Sequence, residues 1–414
     1  MAVTAFAPAR QFLGIAAETN PGQPVAMTNT LTVAQIKPSD KVTYLEDKAL
    51  RGVMSTEFNE ILGVGKAELD INSPAFADQL PWWCRNILGD VSVTGTPTGT
   101  GATTLSVAAA AGATSFTTQA TIPAGTLVQI GTGAKAEIVT TGTPTGSAPN
   151  FVIPVTVPAS GGLVYAHSVG DAVTPVTGPY TYAYSLLNSG TGQPPSHTVT
   201  HYLGPGSTGA RQYPGFAASE LALKFAVESA LLEYTVKGTS WPSVPAAVAP
   251  QAAPGTTIPL PSWSTTIGIG GSVAGSPVAT VSEGEITLKR ELGVIYTATG
   301  VRVPYVIQRG GLTVEGKFTF SAVADESPLL YMLTNSQPQV QIIHSNGLTG
   351  VNMLKIQIDM QQCAFTVADP DAGKTAVGYS TTFKPLLNTA NAGGSGGYSQ
   401  IKISITCNVP PGSF

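Results

Sequence analysis

The chain has 414 residues, a formal net charge of −4 and 11% charged residues, where a typical soluble domain carries about 25%. Its 43% hydrophobic content excludes full disorder. The slightly acidic balance excludes a phosphate-gripping nucleic-acid binder, which needs a basic surface. Length points to two or three domains, and so low a charge fits a subunit that buries its flanks against copies of itself.

In chain order, residues 1–14 lack the charged and apolar regions of a signal peptide, and no run of about 18 apolar residues predicts a transmembrane helix. Residues 66–71 alternate: Lys66, Glu68 and Asp70 share one strand face, and Ala67, Leu69 and Ile71 share the other. Residues 74–89 read as a turn and a short helix, with Pro81 in its first turn, Gly89 at its end, and Trp82, Trp83 and Leu88 as core anchors. Residues 94–176 are rich in Thr, Gly and small residues and nearly free of charge; TGTPTG occurs there twice, which reads as an inserted β-module. Residues 220–227 and 232–236 alternate and predict an antiparallel hairpin. A Pro-rich connector covers 241–261. Alternation returns at 312–321, with Leu312, Val314, Phe318 and Phe320 opposite Thr313, Glu315, Lys317 and Thr319, and again at 354–360 and 401–407. A second short helix is expected over 326–335.

These signals predict a mainly β fold of antiparallel sheets with few, short helices. Three parts are expected: a first module of residues 1–93 and 177–262, an inserted β-module 94–176, and a second module of 263–414. Both outer parts run from a charged arm through Gly-Lys, an alternating strand and a short helix. That grammar suggests internal duplication, with Lys66 matched to Lys317. The polar strand faces, including Lys224, Glu228, Lys355 and Asp359, lie opposite apolar faces that the core needs, so they are expected outside it.

Chemistry-bearing constellations are absent from the sequence. Cys84, Cys363 and Cys407 are odd in number and widely spaced, without a CxxC, and read as buried thiols in a reducing compartment. His197 and His201 have the i, i+4 spacing of a helical metal pair, but they lie in strand-like PPSHTVTHY without an HExxH glutamate. Ser395 sits in GGSGG, a match to GxSxG, but in a glycine loop lacking the strand-to-helix turn of a nucleophile elbow. The glycines at 268–271 lack the rest of a dinucleotide fingerprint. No enzyme activity, cofactor or metal is expected.

Several segments together resemble a known family. They are LGIAAETNPGQPVAMTNTL (13–31), GKAELDINSPAFADQLPWWCRNILG (65–89), YTYAYSLLN (180–188) and ARQYPGFAASELALKF (210–225) in the first part. EITLKRELGVIYTATGVRVPYVIQRGGLTVEGKFTF (285–320), GKTAVGYSTTFKPLLNTA (373–390) and IKISITCNVP (401–410) follow in the second. In order and content they are similar to the tail tube proteins of long-tailed bacteriophages, over roughly residues 10–93, 177–240 and 280–412, with 94–176 departing from the pattern.

The resemblance implies packed antiparallel sheets, a β-sandwich or barrel with short flanking helices, and an insertion 94–176 on the exterior of a tube. It also implies a virion structural protein, assembled in the bacterial cytoplasm, whose rings stack into that tube, which conducts DNA at ejection. Its implied partners are further copies of itself, the tape measure protein, the tail terminator and distal tail proteins, and passing DNA. A ring of three chains with pseudo-sixfold symmetry is the expectation, six chains the alternative. Lys66, Glu68, Asp70, Glu315, Lys317 and Thr319 are the expected bore-lining residues. Asp40, Lys41, Glu46, Asp47, Lys48, Arg51, Arg302 and Arg309 are the expected inter-ring arm residues. A tail adhesin is the alternative function, suggested by the insertion.

Overall fold

The structure is a computed structural model that describes residues 7–49, 51–52, 54, 58–156, 162–204, 209–228, 230–247, 255, 257–321, 327–371 and 378–414. The chain opens with β1 (Phe12–Ala17), β2 (Asn29–Leu31) and a long hairpin of β3 (Gln35–Asp47) and β4 (Asn59–Pro74). Helix α1 (Leu80–Ile87) leads to β5 (Gly89–Pro97). The short strands β6 (Thr103–Thr104), β7 (Ser115–Thr118), β8 (Leu127–Ile130), β9 (Glu137–Thr141), β10 (Thr145–Ser147) and β11 (Asn150–Thr156) form the insertion. The body resumes with β12 (Ala172–Leu186), β13 (His197–Tyr202), β14 (Arg211–Ala226), β15 (Glu233–Ser240) and β16 (Val244–Pro245). The second half holds β17 (Thr265–Ile269), β18 (Pro277–Val278), β19 (Val281–Ile295), β20 (Val306–Phe320) and α2 (Ser327–Leu333). It ends with β21 (Val340–Ser345), β22 (Lys355–Met360), β23 (Cys363–Asp371), β24 (Gly378–Pro385) and β25 (Lys402–Cys407). The mainly β, antiparallel class read from the alternation is the class observed. Glu326, the expected start of the second helix, lies outside the described residues.

The principal sheet runs β3-β4-β15-β14-β19-β20-β24-β23, with β13 and β16 on the N-terminal part of β14 and β1 and β2 beyond β13. A second sheet runs β5-β12-β25-β22-β21-β17-β18. The two pack apolar face to apolar face around one continuous core that takes residues from both halves, among them Ile71, Leu223, Phe318, Tyr184, Ile358 and Ile405. The expected first and second modules therefore do not own separate cores.

The principal sheet consists of two four-strand blocks in matching order, β3-β4-β15-β14 and β19-β20-β24-β23. The first block's irregularities recur in the second, which adds one more slip, between Val281 and Glu283. In the first hairpin the register slips between Val42↔Gly65 and Tyr44↔Leu62; in the second it slips between Arg290↔Leu312 and Leu292↔Arg309. A further bulge lies at Ser219, between Ala218 and Glu220, and its counterpart at Thr366, between Phe365 and Val367. Both bulge hydroxyls donate to the facing strand, Ser219 Oγ to Lys237 O at 3.1 Å and Thr366 Oγ1 to Thr382 O at 3.2 Å. Bulges fix local twist and register. The hairpin slips and the bulges give one shift of 247 residues between β4 and β20, pairing Gly65 with Leu312 and Asp70 with Lys317. Lys66 thus corresponds to Thr313, which corrects the Lys66–Lys317 match expected from the Gly-Lys dipeptides. The same shift relates ADQLP (77–81) to ADESP (324–328) ahead of the helices.

Three glycines on the buried face of the principal sheet seat aromatic rings. A Cβ on Gly284 would stand 2.5 Å from Phe225, one on Gly238 2.5 Å from Phe216, and one on Gly316 2.1 Å from Phe383. Helix α1 starts with Pro81 in its first turn and ends before Gly89, whose φ of +92° only glycine adopts readily. Trp82, Trp83 and Leu88 are buried, and Trp83 meets Phe216 edge to face at 5.8 Å.

The insertion grows out of the β5–β12 hairpin. Both strands cross the expected boundaries at 94 and 176, and a separate core of Leu105, Phe116, Ile122, Val128, Ile130, Val139, Ile153, Leu163 and Val173 fills the module. Tyr165 ties it to the body, donating its hydroxyl to Asp90 Oδ1 at 2.7 Å and to Val91 O at 2.6 Å.

Gly316→Ala is expected to destabilise the chain by about 1–3 kcal/mol, because the added methyl overlaps a fully buried ring. Chemical denaturation of the purified variant checks this. Unchanged stability would show that Phe383 has room to move.

Candidate assembly surfaces

The face of the principal sheet that does not meet the core is polar and charged in a regular way. Residues directly opposite in an antiparallel ladder share a face and interact. One cross-strand row reads Lys37, Asp70, Lys237, Glu220, Lys289 over β3, β4, β15, β14 and β19. A second reads Glu233, Lys224, Glu285, Lys317 over β15, β14, β19 and β20. Sign alternates at every step, so every lysine in these rows lies beside a carboxylate. Direct ion pairs join Lys66 to Glu68 at 2.8 Å, Lys237 to Glu220 at 2.8 Å and Lys317 to Glu315 at 3.3 Å. The Lys66 hydrogen bond holds the Glu68 carboxyl below its ordinary pKa, and the Glu220 hydrogen bond raises that of Lys237.

The six residues read as bore-lining fall on this one face: Lys66, Glu68 and Asp70 on β4, and Glu315, Lys317 and Thr319 on β20. Lys224 also lies on it. Lys355 and Asp359 do not. They belong to β22 of the second sheet, and Asp359 is buried, accepting from Gln341 Nε2 at 2.7 Å and from Gln357. Alternation alone cannot say which of two sheets a strand joins.

Beyond the register slips, the two long hairpins project as arms. The first exposes Tyr44, Leu45, Ile61 and Leu62, and the second exposes Ile295, Val301, Val303 and Tyr305. The charged residues expected there divide into groups. Glu46 pairs with Lys48 and Asp47 with Arg51, all on the first arm, and Arg51 also lies 4.7 Å over the Phe58 ring. Lys41 is exposed at the arm's base. Asp40 is held down, accepting from Ser243 N at 2.8 Å and Ser243 Oγ at 2.7 Å. Arg302, exposed at the tip of the second arm, presents its carbonyl to Gly65 N at 3.0 Å, so the second arm leans on the base of the first.

Arg309 departs from the arm expectation because it is buried. Its guanidinium donates to Pro194 O at 2.8 Å, Pro195 O at 3.2 Å and Asn86 Oδ1 at 3.3 Å. Burial, and next the charge of nearby Arg290, bring its pKa down to about 9. Arg290 donates to Gly310 O and to Ile87 O, the latter at 3.0 Å. The two arginines thus fasten the second block to the C-terminal end of α1. Sequence reasoning assigned charge to the arms and missed their apolar residues, which stand out in the sequence as YL (44–45), IL (61–62) and VRVPY (301–305).

The signature segment near the N-terminus has a structural role. Glu18 is buried, and its carboxylate accepts from Gly22 N, Ser196 Oγ, Thr198 Oγ1 and Gly215 N at 2.6–3.0 Å. Gly22, at φ +81°, lets Trp241 pack where a Cβ would stand 2.2 Å from its ring. One acidic side chain thereby joins β1, the start of β13 and the bend in β14.

The motifs weighed for catalysis are also structural. Ser395 Oγ donates to Asp90 at 2.5 Å, and neither atom meets a histidine. His197 accepts on Nδ1 from Asn86 Nδ2 at 2.7 Å. Burial, with the charges of Arg85 and Arg309, holds it far below the usual histidine pKa. His201 bonds instead to Gln11 at 3.2 Å. His167 lies in the insertion, 2.8 Å from Glu137. No group of three or more potential metal ligands occurs among the described residues. No helix among them is long and apolar enough to cross a membrane.

The described residues thus present a sheet face of alternating charge and two arms with exposed apolar residues. Residues 8–408 match the family model described as phage tail tube protein. The chain belongs to that family, whose members serve as structural components of the virion tail. No curated protein matches it at a significant level.

Acid should loosen this fold through its buried histidines. Burial pushes the His344 pKa down to about 3, while Thr265 Oγ1 sits 2.7 Å from its Nδ1. Between the unfolded value of 6.5 and about 3 the unfolded chain binds a proton that the folded chain refuses. Stability is therefore full above pH 6.5 and falls as pH drops, by up to about 1.4 kcal/mol per unit for this residue. His344→Gln is expected to flatten the denaturation-midpoint slope between pH 6 and 4. A slope equal to that of wild type would remove His344 from the acid response.

Proposed function

We propose that the chain polymerises as rings of three, stacked into a tube through which DNA leaves the virion. The observation that carries this reading is the repeated block. Inside the chain β14 ends the first block and pairs with β19, which begins the second. The outer edges, β3 and β23, are the counterparts of β19 and β14. Each has a single ladder partner among the described residues, β4 for β3 and β24 for β23. An exposed edge strand is a template for pairing. Pairing β23 of one copy with β3 of the next repeats a joint the chain already makes, and a closed ring leaves no edge. Three chains then supply six blocks.

In such a ring the polar face lines the bore and the opposite face is core. Alternating charge gives DNA no extended positive track to bind, which suits a conduit. The arms, apolar and lightly charged, reach neighbouring rings. The tape measure, terminator and distal tail proteins are the partners of the tube's lumen and ends. The insertion, built on a hairpin of the other sheet, projects outward.

Purified protein supplied with tail initiator proteins is expected to give stacked rings by negative-stain microscopy, and persistent monomer would overturn the reading. Replacing residues 98–171 with a short Gly/Ser linker should leave tubes intact, since the module has its own core. Loss of tubes would place the module within the ring wall. Glu68→Lys with Asp70→Lys should still permit tubes, because each cross-strand charge pair on this polar face contributes about 1 kcal/mol or less. Virions carrying both changes should eject DNA more slowly at low salt, the defect shrinking as salt rises. Normal low-salt ejection would remove these residues from the bore.

A further inference from the structure

Helix α2 is shorter than α1 and far more exposed. In α1 every residue but Arg85 is buried, whereas in α2 only Pro328 is. Leu330 and Leu333 are 51% and 67% exposed, and the latter is the counterpart of Asn86, which is fully buried. Strands β13 and β14 hold Asn86 through His197, Phe216 and Ala218, and the second block adds to the cover over Asn86 and its neighbour Ile87. Arg309 and Arg290 of the second block reach across and bond to Asn86 Oδ1 and Ile87 O. Among the described residues no third block packs against α2.

The positions corresponding to Arg309 and Arg290 in the first block are Leu62 and Val42, the residues flanking the matching register slip. Both are exposed, at 48% and 38%. Both partners of the internal joint therefore change character together. Where one joint sets arginine against asparagine, the other offers leucine to leucine, each with its apolar surface uncovered in the single chain.

We infer that the exposed face of α2, at Leu330 and Leu333, docks on Val42 and Leu62 at the base of the first arm of a second copy of this chain. This rests on the ring reading and deepens it, because it assigns the contact under the paired strand edges. Apolar burial replaces the hydrogen bonds of the internal joint. A contact between chains then depends on removing leucine from water, and neither partner is left with a buried unpaired charge. Charged substitution at either leucine should be tolerated by the free chain and felt on assembly.

Two measurements test the inference. Chains carrying Leu62→Cys and chains carrying Leu333→Cys are mixed, co-assembled and treated with a short bismaleimide. The native Cys84, Cys363 and Cys407 are buried, so the new thiols dominate. Adducts between the two kinds of chain are expected in assembled rings. Rings that form without a 62–333 adduct overturn the docking and leave the tube reading standing, whereas wild-type chains that form no rings overturn both. Separately, Leu62→Arg should cut the assembled fraction by about tenfold or more with the monomer's melting unchanged. Adding Leu333→Asn, which recreates the internal pair, should restore part of the loss. Wild-type assembly by Leu62→Arg, or no recovery in the double variant, counts against the inference.

Discussion

An antiparallel sheet that stops at two unpaired strands leaves a row of backbone donors and acceptors on each side, and this constraint governs the molecule. Within the chain, the problem is solved once, where β14 meets β19 and two four-strand blocks become one sheet. Every irregularity of the first block recurs in the second at the same register position, so the outer edges carry the same geometry as the inner pair. A ring is the arrangement in which that geometry is used everywhere and no edge remains.

The remaining features serve this sheet. One face must be apolar to hold the second sheet, and glycines at 238, 284 and 316 admit large rings there without forcing the strands apart. The opposite face is then free to carry charge, and its alternation in sign across neighbouring strands offsets each lysine locally. Buried polar groups sit where elements must be held at fixed angles. Glu18 gathers β1, β13 and the bend of β14, while Arg290 and Arg309 fasten the second block to α1. Truncating such a group strands several donors or acceptors in the interior, which costs more than losing an exposed ion pair.

Much of this was legible in the sequence. Period-two alternation fixed which face of β4, β14 and β20 is buried, and Pro81 with Gly89 bounded α1. Composition set residues 94–176 apart, and a separate hydrophobic core lies among them. Other features were hidden for physical reasons. The blocks share few identities in register, Gly63 with Gly310 and Glu68 with Glu315 among them, so a chance Gly-Lys dipeptide misaligned them by several residues. Strand patterning reports a side chain's face but neither its sheet nor its depth, so the burial of Asp359 was not visible in it. Arg309 looked like an arm residue because arginine is usually exposed, and only the three-dimensional structure shows the carbonyls that surround it. The repeated ADxxP ahead of the two helices was the available signal for the true register.

The most direct test of the central claim is a reconstruction of the assembled tube at a resolution that separates strands. The expected result is three chains per ring, with β23 of each chain paired to β3 of the next in the register of β14 on β19, so that Val367 stands opposite Lys41 as Glu220 stands opposite Lys289. Six complete chains per ring, or rings in which β3 and β23 remain unpaired, would contradict the account.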